Sequence, residues 1–189
     1  MNLVYSCVFY NLNYVQLLDL LLKSFSKFCN DSNTFYLVLC DKKLEPFIKE
    51  MFSRYEINGD TWCLEINTLF QSGTSRLRIF DYENIDQFEK ILYLDCDVLI
   101  TNSINEIWDI CKEEKCYVMY EKCDRASHFF LLNDEEYNTI DKSLSFTSAI
   151  LLFKNCSIIK QCFAQIYKHT ETYLQQKKQH QLNNLHPQG

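Results

Sequence analysis

Glycine and proline are scarce, three and two residues in the whole chain, which excludes collagen-like repeats and Pro/Gly-rich disordered tracts. No CxxC pair occurs. The ten cysteines are dispersed, many of them inside apolar runs, whereas a zinc cluster wants short paired spacings. They read instead as reduced thiols acting as small hydrophobes in a reducing compartment. Basic stripes are also missing, and the formal charge is −6, so no nucleic-acid partner is expected. The amino terminus, MNLVYSCVFYNLNYVQ, lacks the basic region of a signal peptide. Nowhere does an apolar stretch approach the roughly 20 residues that cross a bilayer. A soluble, cytoplasmic chain without a membrane span is the expectation.

What is present is a chain of 189 residues, enough for one sizeable core, with strand-like and helix-like segments in alternation. Residues 3–10 read as a buried strand. Tyr14, Leu17, Leu18, Leu21, Leu22, Phe25 and Phe28 then repeat at helical spacing. Residues 35–40 form a second strand, and Leu44 to Tyr55 carry a second helical stripe with Pro46 in its first turn. The turn Asn58-Gly59-Asp60 leads into a strand over 61–66, and a polar loop (67–74) precedes a short helix over 75–82. Further strands are expected at 91–94, 116–120 and 148–153, with helices at 105–111 and 157–174 and a long polar, acidic loop over 121–145. This alternation predicts an α/β layer with a mixed, mostly parallel sheet flanked by helices, in one domain over 1–175, followed by a polar tail over 176–189.

One stretch stands out. Residues 90–104 read KILYLDCDVLITNSI, a buried strand running straight into Asp95-Cys96-Asp97. Ligands of such sheets bind beyond the carboxyl ends of strands, and two carboxylates at i and i+2 of extended chain point the same way. Like charges so close call for a positive partner.

Three readings compete. The pair could simply serve a turn. It could be the nucleophile and general acid of a haloacid-dehalogenase-type phosphohydrolase, although that motif opens its domain and here 94 residues precede it. Or it could hold a divalent cation against the diphosphate of a nucleotide sugar, where a hard ion bound by one or two carboxylates neutralises charge and acts as a Lewis acid.

The segment TSRLRIFDYENIDQFEKILYLDCDVLITNSINEIWDI resembles the central block of glycosyltransferase family 8, the glycogenin and lipopolysaccharide-galactosyltransferase group. NLNY (11–14) is similar to the family's nucleotide-base segment. The resemblance implies a GT-A (Rossmann-like) fold, Mn2+ (or Mg2+), a UDP-sugar donor, a glycan or protein acceptor, and retention of anomeric configuration.

Carried across residue by residue, Asp97 would be the main metal ligand and Asp95 a second one, also reaching a ribose hydroxyl. Arg78, seventeen residues before Asp95, would contact the donor, and Arg76 ranks below it as a solvated charge. Phe9, Asn11 and Tyr14 would line the base pocket, with Tyr14 equally readable as a core aromatic. Cys96 falls within the donor-binding segment, its side chain expected to pack on the opposite face. Glu121 and Asp124 are candidates for orienting the acceptor or, in an inverting enzyme, for general base. The family's Phe-Asn-Ser/Ala-Gly is replaced by Phe146-Thr147-Ser148-Ala149, in which Thr147 and Ser148 can still offer hydroxyls to a sugar. His186, in HPQG, has the form of the family's third metal ligand; otherwise that ligand lies beyond Gly189. These departures keep open a catalytically inactive, nucleotide-binding relative.

Overall fold

The computed structural model describes residues 1–29, 31–120 and 146–185, with side chains described through Met119 and from Phe146 to Tyr173. Its centre is a six-stranded sheet: β1 (Asn2–Val8), β2 (Thr34–Cys40), β3 (Gly59–Cys63), β4 (Lys90–Leu94), β5 (Tyr117–Tyr120) and β6 (Phe146–Lys154). The spatial order is β3-β2-β1-β4-β6-β5. The first four strands are mutually parallel, and β6 runs antiparallel to both β4 and β5. The expected mixed, mostly parallel sheet is therefore what forms.

Among the described residues five helices flank it: α1 (Leu12–Phe28), α2 (Glu45–Arg54), α3 (Leu69–Thr74), α4 (Asn105–Ile110) and α5 (Ser157–Leu185), with 3₁₀ turns at Ser75–Asp81 and Ile85–Gln87. Side chains alternate across each strand, and the alternation splits the core in two. Val4, Val38, Leu92 and Leu94 face a cluster with Leu18, Leu22, Ile48, Phe52 and Trp108 from α1, α2 and α4. Leu3, Tyr5, Ile91, Tyr93 and Phe153 face the other way, against Ile79, Phe88, Ile159 and Phe163. The result is a three-layer sandwich.

Several local details differ from the sequence reading. The segment 67–74 is not a plain loop. Thr68 caps α3 by accepting the Gln71 N–H (3.1 Å), and the Gln71 side chain accepts the Asn67 N–H (2.9 Å). That Thr-x-x-Gln spacing is a variant of the capping box, a helix start signal that outweighs the polar composition. The helix expected over 75–82 tightens into a 3₁₀ turn. The last helix runs on to Leu185 rather than stopping near Leu174.

The third strand starts two residues early, at Gly59 itself. A methyl group at Gly59 would stand 2.5 Å from the Tyr36 carbonyl oxygen and 3.1 Å from the Phe52 ring. The turn glycine thus also permits the close approach of β3 to β2. Gly59→Ala is expected to cost about 1–3 kcal/mol, the range for overpacking a filled site, read as a lower urea midpoint at unchanged m.

The described cysteines are all free thiols. Burial pushes several upward from the ordinary value near 9: Cys7 to about 12, Cys96 and Cys116 to about 11. A thiol raised in the folded state holds its proton there while the unfolded chain has already released it. Stability from this source is full below about pH 9 and falls as pH climbs through about 11–12. Urea midpoints should therefore drop across that alkaline window, and serine at these three positions should flatten the drop.

Candidate functional site

The strand order reverses beside β1: β2 and β3 lie to one side of it, β4 to the other. At such a switch point the loops leaving adjacent strands diverge and open a crevice at their carboxyl ends. β1 runs out into Phe9-Tyr10-Asn11 and β4 into Asp95-Cys96-Asp97, so the two candidate segments are neighbours at one rim.

The aspartate pair does not continue the strand. The chain turns at Asp95, whose carbonyl accepts the Val98 N–H (3.1 Å). The extended-chain premise for the two carboxylates fails, and their environments differ accordingly. The Asp95 side chain is 31% exposed and engaged. Asp97 is exposed, and among the described residues no hydrogen bond or ion pair involves its carboxylate. Cys96 turns inward and packs with Leu94 and Trp108, as expected of its side chain.

The positive partner of the pair is Arg76. Its Nη1 lies 3.2 Å from Asp95 Oδ1 and also donates to the carbonyl (2.9 Å) and hydroxyl (3.0 Å) of Ser148. Nε donates to the Gly73 carbonyl (3.2 Å), and the guanidinium lies 4.7 Å from the centroid of the Tyr93 ring. Only 19% of the Arg76 side chain is exposed, so the ranking of Arg76 as a solvated helix charge is corrected. Arg78 instead pairs with Asp81 (3.0 Å) and lies over Trp62, away from the aspartates. On a helical turn, 3₁₀ or α, side chains two apart leave in well-separated directions, so Arg76 and Arg78 do not share a target.

Two tyrosines support this arrangement, and the sequence reading names neither. Tyr93, near the end of β4 and two residues before Asp95, donates its hydroxyl to Asp95 Oδ1. Tyr5 packs against Tyr93 (centroids 4.9 Å apart) and donates to the Arg76 carbonyl (2.9 Å). Burial drives both phenols well above their ordinary range, so both are donors at neutral pH. The i, i+2 relation of Tyr93 to Asp95 was the available signal.

β6 completes the rim. The Asp95 N–H donates to the Ala149 carbonyl (2.8 Å), which ties the aspartate turn to Thr147-Ser148-Ala149. Ser148 meets Arg76, while the Thr147 hydroxyl accepts the Ala149 N–H (3.2 Å). Across the crevice, Asn11 caps α1 by accepting the Asn13 N–H (2.9 Å), and Phe9 is buried in the core. Tyr14 is 49% exposed, which removes its reading as a core aromatic. Tyr10 adopts φ 63°, a left-handed conformation uncommon for an aromatic residue, and its N–H is held by the Asp41 carboxylate (2.7 Å). Glu121, Asp124 and His186 lie outside the described residues.

Two carboxylates, one of them without a partner among the described residues, suit a hard divalent ion of the magnesium or manganese type. Magnesium in particular keeps several waters and takes its remaining ligands from substrate phosphates. No group of three or more metal-binding side chains forms among the described residues, so the ion would depend on such outside ligands.

With this geometry in place, relatives can be compared. The sequence model of glycosyl transferase family 8 matches residues 70–188, a segment that contains Arg76, both aspartates and the Thr147-Ser148-Ala149 stretch of β6. The chain belongs to glycosyltransferase family 8. No curated protein matches this family 8 chain. Solved structures do. The galactosyltransferase LgtC, in complex with donor and acceptor sugar analogs, superposes with TM-score 0.66 at 18% identity over 95% of this chain and 66% of its own. The apo form of the glycosyltransferase GlyE of Streptococcus pneumoniae TIGR4 gives 0.58 at 17% identity, covering 98% of this chain and 43% of its own. Mouse xyloside xylosyltransferase 1, also apo, gives 0.64 at 9% identity, covering 86% and 71%. The likeness establishes the GT-A fold, and the family 8 chain spans less than half the length of GlyE. Among the described residues no helix is long and apolar enough to cross a membrane.

Proposed function

We propose that this chain is the nucleotide-sugar-binding part of a metal-dependent glycosyltransferase that moves a sugar from a UDP-sugar to a glycan or protein acceptor. One observation carries the reading most. At the switch point of the sheet an exposed carboxylate, Asp97, with no partner among the described residues, stands beside a second one, Asp95, that is locked in place by an arginine and a tyrosine.

In this reading Asp97 is the main ligand of Mn2+ (or Mg2+) and Asp95 a second. The ion supplies charge neutralisation for a diphosphate leaving group. Arg76 takes the part that the family resemblance gave to Arg78: a fixed cation beside the diphosphate, its fork held by Asp95 and Ser148. Asn11 and Tyr14 would meet the base, Tyr14 through its exposed ring and Asn11 through the donor groups of its amide. Phe9 would support them from the core. The hydroxyl of Ser148, beside Arg76, faces the region a donor sugar would enter. Retention of configuration, and acceptor roles for Glu121 and Asp124, rest on the family alone, as does His186 as a further ligand.

The test is a thermal-shift screen of nucleotides and nucleotide sugars, each with manganese and with chelator. A ligand that binds only the folded form at a hundred times its Kd adds about 2.7 kcal/mol of stability. UDP and one UDP-sugar should raise Tm with manganese and leave it unchanged with chelator. Equal shifts by every nucleotide diphosphate, or shifts indifferent to metal, contradict the reading.

A further inference from the structure

We infer that Tyr93 is a positioning residue for the cation and diphosphate, acting through Asp95; this rests on the reading just given. Tyr93 is 1% exposed, so it cannot itself touch a ligand, yet its hydroxyl reaches the one oxygen of Asp95 that Arg76 also holds. With two donors converging on Oδ1, the carboxylate plane is fixed. Oδ2 is the oxygen left for a cation.

The support is layered. The Tyr93 ring is itself clamped between the Tyr5 ring on one neighbour and the Arg76 guanidinium on another. Its hydroxyl therefore has little freedom to seek another acceptor. Without that hydroxyl, Arg76 Nη1 alone would hold Oδ1, and a single donor leaves the carboxylate free to turn about that contact. Partners that orient a metal ligand in this manner typically account for 10–100-fold in metal affinity.

The experiment compares wild type, Y93F and Y36F by calorimetry, titrating manganese at fixed UDP. Tyr36 is the control: its equally buried hydroxyl bonds to Ser6 (2.7 Å) and has no contact with the aspartates. The expected result is an apparent manganese Kd at least tenfold weaker in Y93F and within twofold of wild type in Y36F. In a D95N background, Y93F should add less than twofold, because its route to the ion has gone. A purely structural Tyr93 would lower Tm in Y93F and Y36F alike and leave the manganese Kd within twofold, which overturns the inference and leaves the reading of the site standing. A wild-type chain that binds UDP without manganese, or neither, overturns both. Should Y93F fail to fold, a crystal of the unaltered chain with manganese and UDP decides. Tyr93 still donating to Asp95 supports the inference, and Asp95 rotated out of its reach overturns it.

Discussion

Asp97→Ala should weaken manganese-dependent UDP binding by at least about 100-fold while leaving the fold untouched. The size follows from charge. A diphosphate brought to this rim meets two carboxylates, and Arg76 offsets only one of them. Without a cation the approach is repulsive, and of the two carboxylates it is Asp97 that has no competing partner among the described residues. Asp95 alone, already shared between Arg76 and Tyr93, is a poor substitute. Because Asp97 is exposed and turned away from the core, its truncation should shift stability by no more than about 0.5 kcal/mol. Calorimetry of UDP with and without manganese, beside a urea titration, reads both quantities. Unchanged affinity in the variant would remove Asp97 from the site.

Arg76→Ala should be the more destructive change. It removes contacts to Asp95, to both oxygens of Ser148 and to the Gly73 carbonyl, and it uncovers the Tyr93 ring. Asp95 is then left with Tyr93 and water, and β6 loses the Ser148 hydrogen bonds to the 3₁₀ turn while keeping the Phe80–Phe153 contact. Hydrogen bonds to charged groups contribute about 1.5–3 kcal/mol each, and partial access of water to Asp95 keeps the total nearer the cost of one such bond. A loss of about 2–3 kcal/mol in urea denaturation is expected, together with loss of UDP binding. Lysine should rescue neither, since an ammonium cannot reproduce a fork that reaches Asp95 and Ser148 from one side and Gly73 from the other. Arg78→Ala is the contrast. Its partner Asp81 is 59% exposed, and a pair of that kind contributes about 0–1 kcal/mol. If Arg78→Ala abolished UDP binding and Arg76→Ala did not, the assignment of the two arginines would have to be exchanged.

The comparison of these arginines shows where the sequence was legible. Strand positions could be read because each is a short apolar run, and the helices α1 and α2 because their buried faces repeat every three to four residues. The place of the aspartates at the rim could be read because a buried apolar run leads straight into them. Choosing between Arg76 and Arg78 needed more. Counting back seventeen residues assumes a fixed path between arginine and aspartate, but the intervening segment holds two 3₁₀ turns whose direction is set by packing of Ile79 and Ile85 into the core. Spacing along a chain does not survive such turns.

Tyr93 was hidden for another reason. In an apolar run a tyrosine reads as one more hydrophobe, and only the register that puts its hydroxyl beside Asp95 separates it from its neighbours. The extended-chain argument for Asp95 and Asp97 reached a sound location by an unsound route: both lie at the rim, but a turn, not a pleat, sets their directions. The polar loop over 67–74 failed because composition was weighed above the Thr68-x-x-Gln71 cap. The phosphohydrolase alternative was removed by the family match, which spans the aspartates and the start of β6 together.

Crystals soaked with manganese and UDP, measured at the manganese absorption edge, test the central claim most directly. An anomalous peak in contact with the Asp97 carboxylate, with Asp95 beside it and the diphosphate completing the ligand shell, is the predicted outcome. A nucleotide bound at the end of β4 with no such peak, or a peak that avoids both aspartates, would contradict the account.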